Sequence, residues 1–340
     1  MNRSRAVVLD GPRRHRLATG PVPEPGHAEV RVRVAAAGLC GSDGELYRGG
    51  RPAAYCRYPV TPGHEWSGTV EAVGPGADPA LVGRAVVGEG FRACRRCERC
   101  RAGDTTLCSA GYAETGFTEP GAFADHLVLP DHLLHLLAPG ADLRAAALLE
   151  PAAVVAAAQL AAAPQPGERV AVVGGGTIGL LTAQFLAASS PAELTVVDPR
   201  ADRPDRAELA QRCGATGVLT PDKAEAEAGR YDLVVETAGA PATAHAASRL
   251  ARRGGRIVLT GIPESARGLD PVDLVVRRLT LHTVFGAPSA AWSLAVRAFD
   301  AGLLDTAALI THELPLEEYD TAVALLDGRD PGVGKVLLRP

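Results

Sequence analysis

The sequence has almost no lysine. Lys223 and Lys335 are the only two in 340 residues, so arginine supplies nearly all of the positive charge. The formal net charge is −4, which gives no reason to expect a nucleic acid as a partner. At this length the chain can form two domains with separate hydrophobic cores.

Signals for secretion and for membrane insertion are also missing. The N-terminal stretch MNRSRAVVLDGPRRH has neither the apolar core nor the small-residue cleavage site of a signal peptide. The apolar run at 145–163 contains Glu150, Pro151 and Gln159, which make it too polar for a membrane span. We therefore expect a cytoplasmic protein that makes no membrane contact.

Four of the seven cysteines lie close together in one arginine-rich segment, 92–109. They are Cys94, Cys97, Cys100 and Cys108, with the spacing C-x2-C-x2-C-x7-C. This spacing is typical of a closed tetrahedral zinc site, which would be structural because no coordination position stays open. An iron–sulfur cluster uses similar short spacings, and disulfides are a third reading that a reducing cytoplasm disfavours.

The pattern of hydrophobic residues divides the chain into three parts. Residues 1–150 contain short valine-rich segments separated by glycine and proline, which predicts an irregular β-barrel-like domain carrying the cysteine lobe. Residues 151–285 alternate buried strands with helical stretches, which predicts a doubly wound parallel sheet of the α/β class. Residues 286–340 return to mixed helix and strand and are assigned to the first domain.

A glycine-rich turn follows the first predicted strand of the α/β region. It matches G-x-G-x-x-G between a strand and a helix, where glycines allow a pyrophosphate to approach the helix N-terminus. Nineteen residues later Asp198 ends the next strand, where a carboxylate can bind the ribose hydroxyls of NAD. Nearby arginines, including Arg200, could favour NADP, but Asp198 outweighs them and predicts NAD. The candidate cofactor-binding residues are Gly174, Gly176, Thr177, Ile178, Gly179, Asp198 and Arg203.

Several motifs occur in one order along nearly the whole chain. They are GLCGSD, PGHEWSGTVEAVG, the four-cysteine lobe, Glu150-Pro151, GGGTIG and DLVVETAG. In this order they resemble the zinc-dependent medium-chain alcohol dehydrogenase family. The resemblance implies a GroES-like β-barrel catalytic domain, a Rossmann NAD-binding domain, one catalytic and one structural zinc, and a homodimer or homotetramer.

The same resemblance assigns the catalytic zinc site. It implies that Cys40 and His64 bind the metal and that Asp43 orients the histidine. The third ligand stays open between Glu65 and Glu150, because the polyol branch of the family uses a glutamate at either position.

The implied reaction is NAD-dependent oxidation of a hydroxyl group on a small polar molecule. Zinc activates the hydroxyl, Ser42 takes its proton, and the nicotinamide accepts the hydride. Where many relatives carry a histidine that completes the proton relay, this chain has Glu45, which could pass protons or hold a cationic substrate.

The glutamate ligands favour a secondary hydroxyl. The segments CGSDGELYRGG, YPVTPGHEWSGTV and ETGFTEPGAFAD further resemble dehydrogenases of aminoglycoside antibiotic biosynthesis, of the 2-deoxy-scyllo-inosamine dehydrogenase type. This predicts an aminocyclitol or amino sugar as substrate, held by Glu45 and Glu119. A general sorbitol- or threonine-type dehydrogenase is the alternative, and a non-catalytic NAD-binding scaffold is a second one.

Overall fold

The computed structural model describes residues 3–263, 265, 268–328 and 332–340. The chain folds into two compact units. Unit 1 comprises residues 1–150, 288–300 and 306–340, and unit 2 comprises residues 151–287 and 301–305. The sequence predicts that the chain returns to the first domain at 286, whereas in the structure it returns at 288 and the short segment 301–305 belongs to unit 2.

The described residues form strands and α-helices joined by turns and short 3₁₀ helices. The strands are β1 Arg3–Gly11, β2 Arg14–Pro21, β3 Glu29–Gly38, β4 Glu65–Val73, β5 Ala85–Gly88, β6 His126–Pro130, β7 Leu134–Leu136, β8 Arg169–Val173, β9 Glu193–Val197, β10 Gly217–Leu219, β11 Tyr231–Glu236, β12 Ala251–Leu259, β13 Thr280–Thr283, β14 Ile310–Pro315 and β15 Lys335–Arg339. The helices are α1 Gly41–Arg48, α2 Glu98–Arg101, α3 Leu143–Ala146, α4 Leu149–Ala162, α5 Thr177–Ala187, α6 Pro204–Arg212, α7 Pro221–Ala224, α8 Thr243–Leu250, α9 Pro271–Arg277, α10 Ser289–Asp300 and α11 Tyr319–Asp327.

Unit 1 is built on a sheet with the strand order β14-β15-β3-β4-β5-β7, to which β6 adds by pairing with β3. Strand β3 alternates buried valines, Val30, Val32 and Val34, with arginines on the other face, as the two-residue period of a strand requires. The antiparallel register sets Gly38 of β3 opposite Glu65 of β4. This pairing brings the residues that follow β3 next to those that open β4.

Unit 2 contains a six-stranded parallel sheet with the order β10-β9-β8-β11-β12-β13. Its inner strands, such as RVAVV in β8, are buried along most of their length, which is typical of parallel strands covered by helices on both faces. The strand order reverses between β8 and β11, next to the turn that follows β8. Such a reversal is where doubly wound sheets bind nucleotides. The predicted α/β fold class is confirmed.

Among the residues that the structure describes, no helix is both long and apolar enough to cross a membrane.

Candidate active site

Three metal-binding side chains meet in unit 1. One ligand atom each from Cys40, His64 and Glu65 lies within 4.8 Å of the other two. His64 and Glu65 are buried, and Cys40 is partly buried. A thiolate, an imidazole and a carboxylate form a ligand set that zinc accepts, and three protein ligands leave a fourth position for a substrate oxygen. The residues therefore fit a catalytic zinc ion.

Local structure positions two of these side chains through one carboxylate. Cys40 caps the N-terminus of α1, and its backbone N–H donates a hydrogen bond to Asp43 Oδ2 at 2.9 Å. The other oxygen, Asp43 Oδ1, lies 3.5 Å from His64 Nδ1. The charge of Asp43 holds the pKa of the buried His64 well above 6.5, although burial opposes it. Asp43 thus fixes the imidazole so that Nε2 can face a metal.

Glu65 has a second partner, which comes from the far end of the chain. Lys335 Nζ donates hydrogen bonds to both carboxylate oxygens of Glu65, at 2.7 and 2.5 Å, and to the carbonyl oxygen of Leu39 at 2.9 Å. Both charged side chains are almost fully buried. The pair forms because β15 and β4 both pair with β3, so that the first residues of β15 and β4 come together.

The other candidate third ligand, Glu150, does not belong to the set of mutually close ligand atoms. It lies at the start of α4, where burial raises the pKa of its carboxyl group to about 7 and the charge of Glu65 adds to the rise. The geometry therefore favours Glu65 as the direct ligand, and Glu150 is a nearby carboxyl group that can be protonated near neutral pH.

Phe117 packs against His64, and Arg51 packs against Phe117. The ring of Phe117 lies 4.9 Å from that of His64, and the Arg51 guanidinium stacks on Phe117 at 3.7 Å. Arg51 also donates hydrogen bonds to the Tyr112 hydroxyl group and to Glu114 Oε2, at 2.6 and 3.1 Å. Burial raises the pKa of Glu114 to about 7. No sequence motif marks Arg51 and Glu114, so the sequence alone does not predict their place at this site.

Three residues are proposed to transfer protons or to bind the substrate, and two of them lie on the same helix. Ser42 is partly buried in the first turn of α1, and Glu45 is exposed one turn further along the same helix. Glu119 lies outside this helix, and its carboxylate is 4.0 Å from Arg92. Ser42 and Glu45 can therefore act together on one helix face, whereas Glu119 already has a cationic neighbour.

The cysteine lobe is arranged for a single tetrahedral ion. The ligand atoms of Cys94, Cys97, Cys100 and Cys108 all lie within 4.8 Å of one another. Cys94 Sγ and Cys100 Sγ are 4.0 Å apart, close to the separation of about 3.8 Å that follows from zinc–sulfur bonds of about 2.3 Å. All four cysteines are free, so the disulfide alternative is wrong. The short distances favour one metal ion over an iron–sulfur cluster, which must hold several irons between its cysteines.

Unit 2 has the geometry of a dinucleotide site at the turn between β8 and α5. Gly174 has φ = +113°, and a Cβ atom on Gly179 would lie 1.8 Å from the carbonyl oxygen of Gly174, so both positions require glycine. A Cβ on Gly176 would meet nothing within 4 Å, which leaves open space in front of the first turn of α5. A pyrophosphate can occupy this space and accept hydrogen bonds from the backbone N–H groups of Thr177 and Ile178.

The acidic residue expected on the ribose lies at the end of β9, but it has two cationic neighbours. Asp198 is buried, and Arg200 contacts both of its carboxylate oxygens, at 3.0 and 2.9 Å. Arg206 of α6 lies 3.7 Å from the same carboxylate. Arg203, by contrast, directs its guanidinium to Asp205. The sequence predicts Arg203 as a cofactor-binding residue, and the structure shows that Arg206 lies beside Asp198.

Two family models together match most of the chain. Residues 26–139 match the alcohol dehydrogenase GroES-like domain, and residues 143–330 match the glucose dehydrogenase C-terminus. The second match alone covers more than half of the sequence. The chain belongs to the zinc-dependent medium-chain alcohol dehydrogenase family. The GroES-like fold expected for the first part of the chain is thereby confirmed.

Curated relatives of this dehydrogenase act on different small molecules. It is 29% identical over 330 residues to a sorbitol dehydrogenase of Bacillus subtilis (strain 168), covering 94% of this chain and 92% of the relative. It is also 29% identical over 335 residues to an L-threonine 3-dehydrogenase of the same strain, covering 95% and 94% of the two chains. These relatives support the sorbitol- or threonine-type alternative better than the predicted role in aminoglycoside biosynthesis.

Solved structures agree with the cofactor assignment. A cobalt- and zinc-bound thermostable alcohol dehydrogenase from Pyrobaculum aerophilum superposes with a TM-score of 0.89 at 30% identity, over 100% of both chains. An alcohol dehydrogenase from Escherichia coli CFT073 in complex with NADH gives a TM-score of 0.90 at 26% identity, over 99% of both chains. The predicted zinc and NAD cofactors and the predicted enzyme class, an NAD-dependent zinc alcohol dehydrogenase, are confirmed, and the non-catalytic scaffold alternative is not supported.

Proposed function

We propose that this dehydrogenase oxidises a secondary hydroxyl group of a small polyol or amino alcohol to a ketone. The observation that carries the proposal is the ligand set of Cys40, His64 and Glu65, which combines one sulfur, one nitrogen and one carboxylate around a single point. The sorbitol and threonine dehydrogenases among its relatives, judged by their names, act on substrates that carry a secondary hydroxyl.

A few side chains of unit 1 each have a defined task in this reaction. Cys40, His64 and Glu65 would hold a zinc ion that would supply polarisation of the substrate hydroxyl, and the glycine-rich turn after β8 would hold the NAD that would supply the hydride acceptor. Asp43 holds His64 in the orientation that ligation needs. Ser42, two residues after Cys40 in the first turn of α1, accepts the proton of the hydroxyl and passes it on. Exposed Glu45, one turn later, can deliver this proton to solvent.

The amino-sugar hypothesis is a narrower form of this proposal. It needs carboxylates that attract a cationic substrate, and exposed Glu45 meets this need. Glu119 meets it less well because Arg92 lies beside its carboxylate. In the same unit, Glu114 is already paired with Arg51. Of these three glutamates, Glu45 is the best placed to attract a cationic amino sugar. A general polyol substrate is uncharged and requires no such carboxylate.

A substrate panel tests the proposed function. Zinc-loaded protein with NAD is assayed for NADH formation on sorbitol, xylitol, threonine, 2,3-butanediol, ethanol and an aminocyclitol. We expect turnover of at least one secondary alcohol at a kcat/KM at least about 100-fold above that for ethanol, since a site that hydrogen-bonds additional hydroxyl groups discriminates by several kcal/mol.

The panel also separates the two readings of the substrate. Turnover confined to the aminocyclitol, with a KM that rises in Glu45→Gln, supports the amino-sugar reading. An ethanol rate equal to or above that of every secondary alcohol, measured with two zinc ions bound, would contradict the proposal.

We further propose that unit 2 forms a homo-oligomeric contact with a second copy of the chain. Strand β13 is an edge of the six-stranded sheet as the structure describes it, and α9, which precedes it in the chain and contacts β12, exposes Val272, Val275 and Val276 by 58% to 75%. An edge strand flanked by an apolar surface is suited to pairing with another copy.

We expect Val275→Asp to lower the molar mass measured by light scattering from that of a dimer or tetramer to that of a monomer. A monomeric parent protein, or an unchanged oligomer in the variant, would refute the contact.

A further inference from the structure

The nucleotide site of unit 2 holds more positive charge than an NAD site needs. At the end of β9, Asp198 is contacted by Arg200 through Nε and Nη2 and by Arg206 through Nη2. Both guanidinium groups also donate hydrogen bonds to the carbonyl oxygen of Gly175, in the glycine-rich turn. One carboxylate thus faces two arginines where the adenosine ribose is expected to bind.

The surrounding charged groups do not cancel this surplus. Asp205 is engaged with Arg203, and Asp202 is engaged with Lys223 at 2.7 Å. Once these two pairs are set aside, Asp198 carries one negative charge against the two positive charges of Arg200 and Arg206. An additional anion at this point would therefore find uncompensated positive charge.

Arg206 also has unused hydrogen-bonding capacity. Its side chain is largely buried, with 11% of its surface exposed, and within the described part of the chain its Nε atom has no hydrogen-bond partner. Burial lowers the pKa of Arg206, and the neighbouring charge of Arg200 lowers it further. A buried guanidinium with a free donor beside a second guanidinium is a favourable position for a phosphate, which accepts several charge-assisted hydrogen bonds.

We propose that this site accepts the 2′-phosphate of NADP as well as the ribose diol of NAD, and that Arg200 and Arg206 determine this dual specificity. With NAD bound, Asp198 accepts hydrogen bonds from the ribose hydroxyls, because a carboxylate keeps acceptor positions beyond those used by Arg200. With NADP bound, the two guanidinium groups turn from Asp198 to the phosphate and offset the repulsion between the two anions.

Direct binding measurements test this inference without any substrate. Zinc-loaded protein is titrated with NADH and with NADPH, and the dissociation constants are obtained from nicotinamide fluorescence. We expect the parent protein to bind NADPH within about tenfold of NADH. Arg206→Gln should weaken NADPH binding about tenfold or more while changing NADH binding less than threefold. The reason is that the 2′-phosphate, which NADH lacks, is the one cofactor group that Arg206 is proposed to contact. Asp198→Asn should shift the ratio in the opposite direction.

Two further variants guard against indirect effects. Arg212→Gln changes an arginine of the same helix that is exposed and paired with Asp305, and it should leave the ratio unchanged. Arg200→Gln repeats the test at the second arginine if Arg206→Gln fails to fold.

Two results would overturn the inference. One is NADPH binding more than 1000-fold weaker than NADH binding in the parent protein. The other is an equal loss of both cofactors in Arg206→Gln and in Arg200→Gln, which would mean that the arginines only support the glycine-rich turn. Because no turnover is required, these results are independent of the proposed substrate.

Discussion

Replacing Cys40 with serine is expected to remove one of two zinc ions per chain and to lower kcat/KM by about 10³- to 10⁴-fold. Among the residues that the structure describes, Cys40 is one of three whose ligand atoms come together at the proposed catalytic site. The polarisation of a substrate oxygen by a metal is worth several kcal/mol, and each 1.36 kcal/mol corresponds to a factor of ten in rate. The zinc content is measured by mass spectrometry, and the rate with the best substrate of the panel.

A matched cysteine outside both clusters provides the control. Cys56 is partly buried in unit 1, and its Sγ lies 3.6 Å from the carbonyl oxygen of Arg51. Cys56→Ser should keep both zinc ions and most of the activity. If Cys40→Ser also kept two zinc ions and full activity, the catalytic metal could not be bound by Cys40, His64 and Glu65.

Replacing Lys335 with methionine is expected to destabilise unit 1 by about 3–5 kcal/mol. In protein without the catalytic zinc ion, the form in which this cost is measured, the substitution leaves the Glu65 carboxylate buried without a counter-ion, and removal of one partner from a buried ion pair has a cost of this size. The charge of Glu65 keeps the pKa of Lys335 raised despite burial, so the lysine is protonated in the parent protein. Part of the loss should be restored in the double variant with Glu65→Gln, where no charge is left unpaired.

Lys223 provides a control for the unfolding measurement, and the two tryptophans provide its fluorescence signal. Lys223, the only other lysine, forms an exposed pair with Asp202, so Lys223→Met should cost less than about 1 kcal/mol. Both tryptophans, Trp66 and Trp292, are buried in unit 1, and their fluorescence in a urea titration therefore reports on the unit that contains Lys335. Equal costs for the two lysine variants would show that the buried pair does not stabilise the fold.

Much of the fold could be predicted because its signals are local. The alternation of strands and helices, the glycine-rich turn and the four-cysteine spacing each lie within a few residues, and each has one dominant physical explanation. Gly179 illustrates this: its place in the motif already implies the close packing of α5 on the turn that the structure shows.

The residues that sequence reasoning missed depend on contacts between distant segments. Lys335 meets Glu65 across 270 positions, and Arg51 meets Glu114 across 63 positions, only because sheet register and loop packing bring them together. Arg206 is close to Asp198 in sequence, but its approach depends on where α6 begins. The preference for Glu65 over Glu150 as the third ligand likewise depends on coordinates, because both are adjacent to motif residues and have the same chemistry.

The position of β15 within the sheet has a consequence for how the protein is made. This strand lies between β14 and β3, yet it follows every other described strand in the chain and is synthesised after them. All of unit 2, including residues 301–305, leaves the ribosome before β15 does, so unit 2 can fold while the sheet of unit 1 still lacks an inner strand. Until Lys335 arrives, Glu65 has no ammonium partner. A nascent chain stalled before β15 should therefore contain a protease-resistant unit 2 attached to an incomplete catalytic unit.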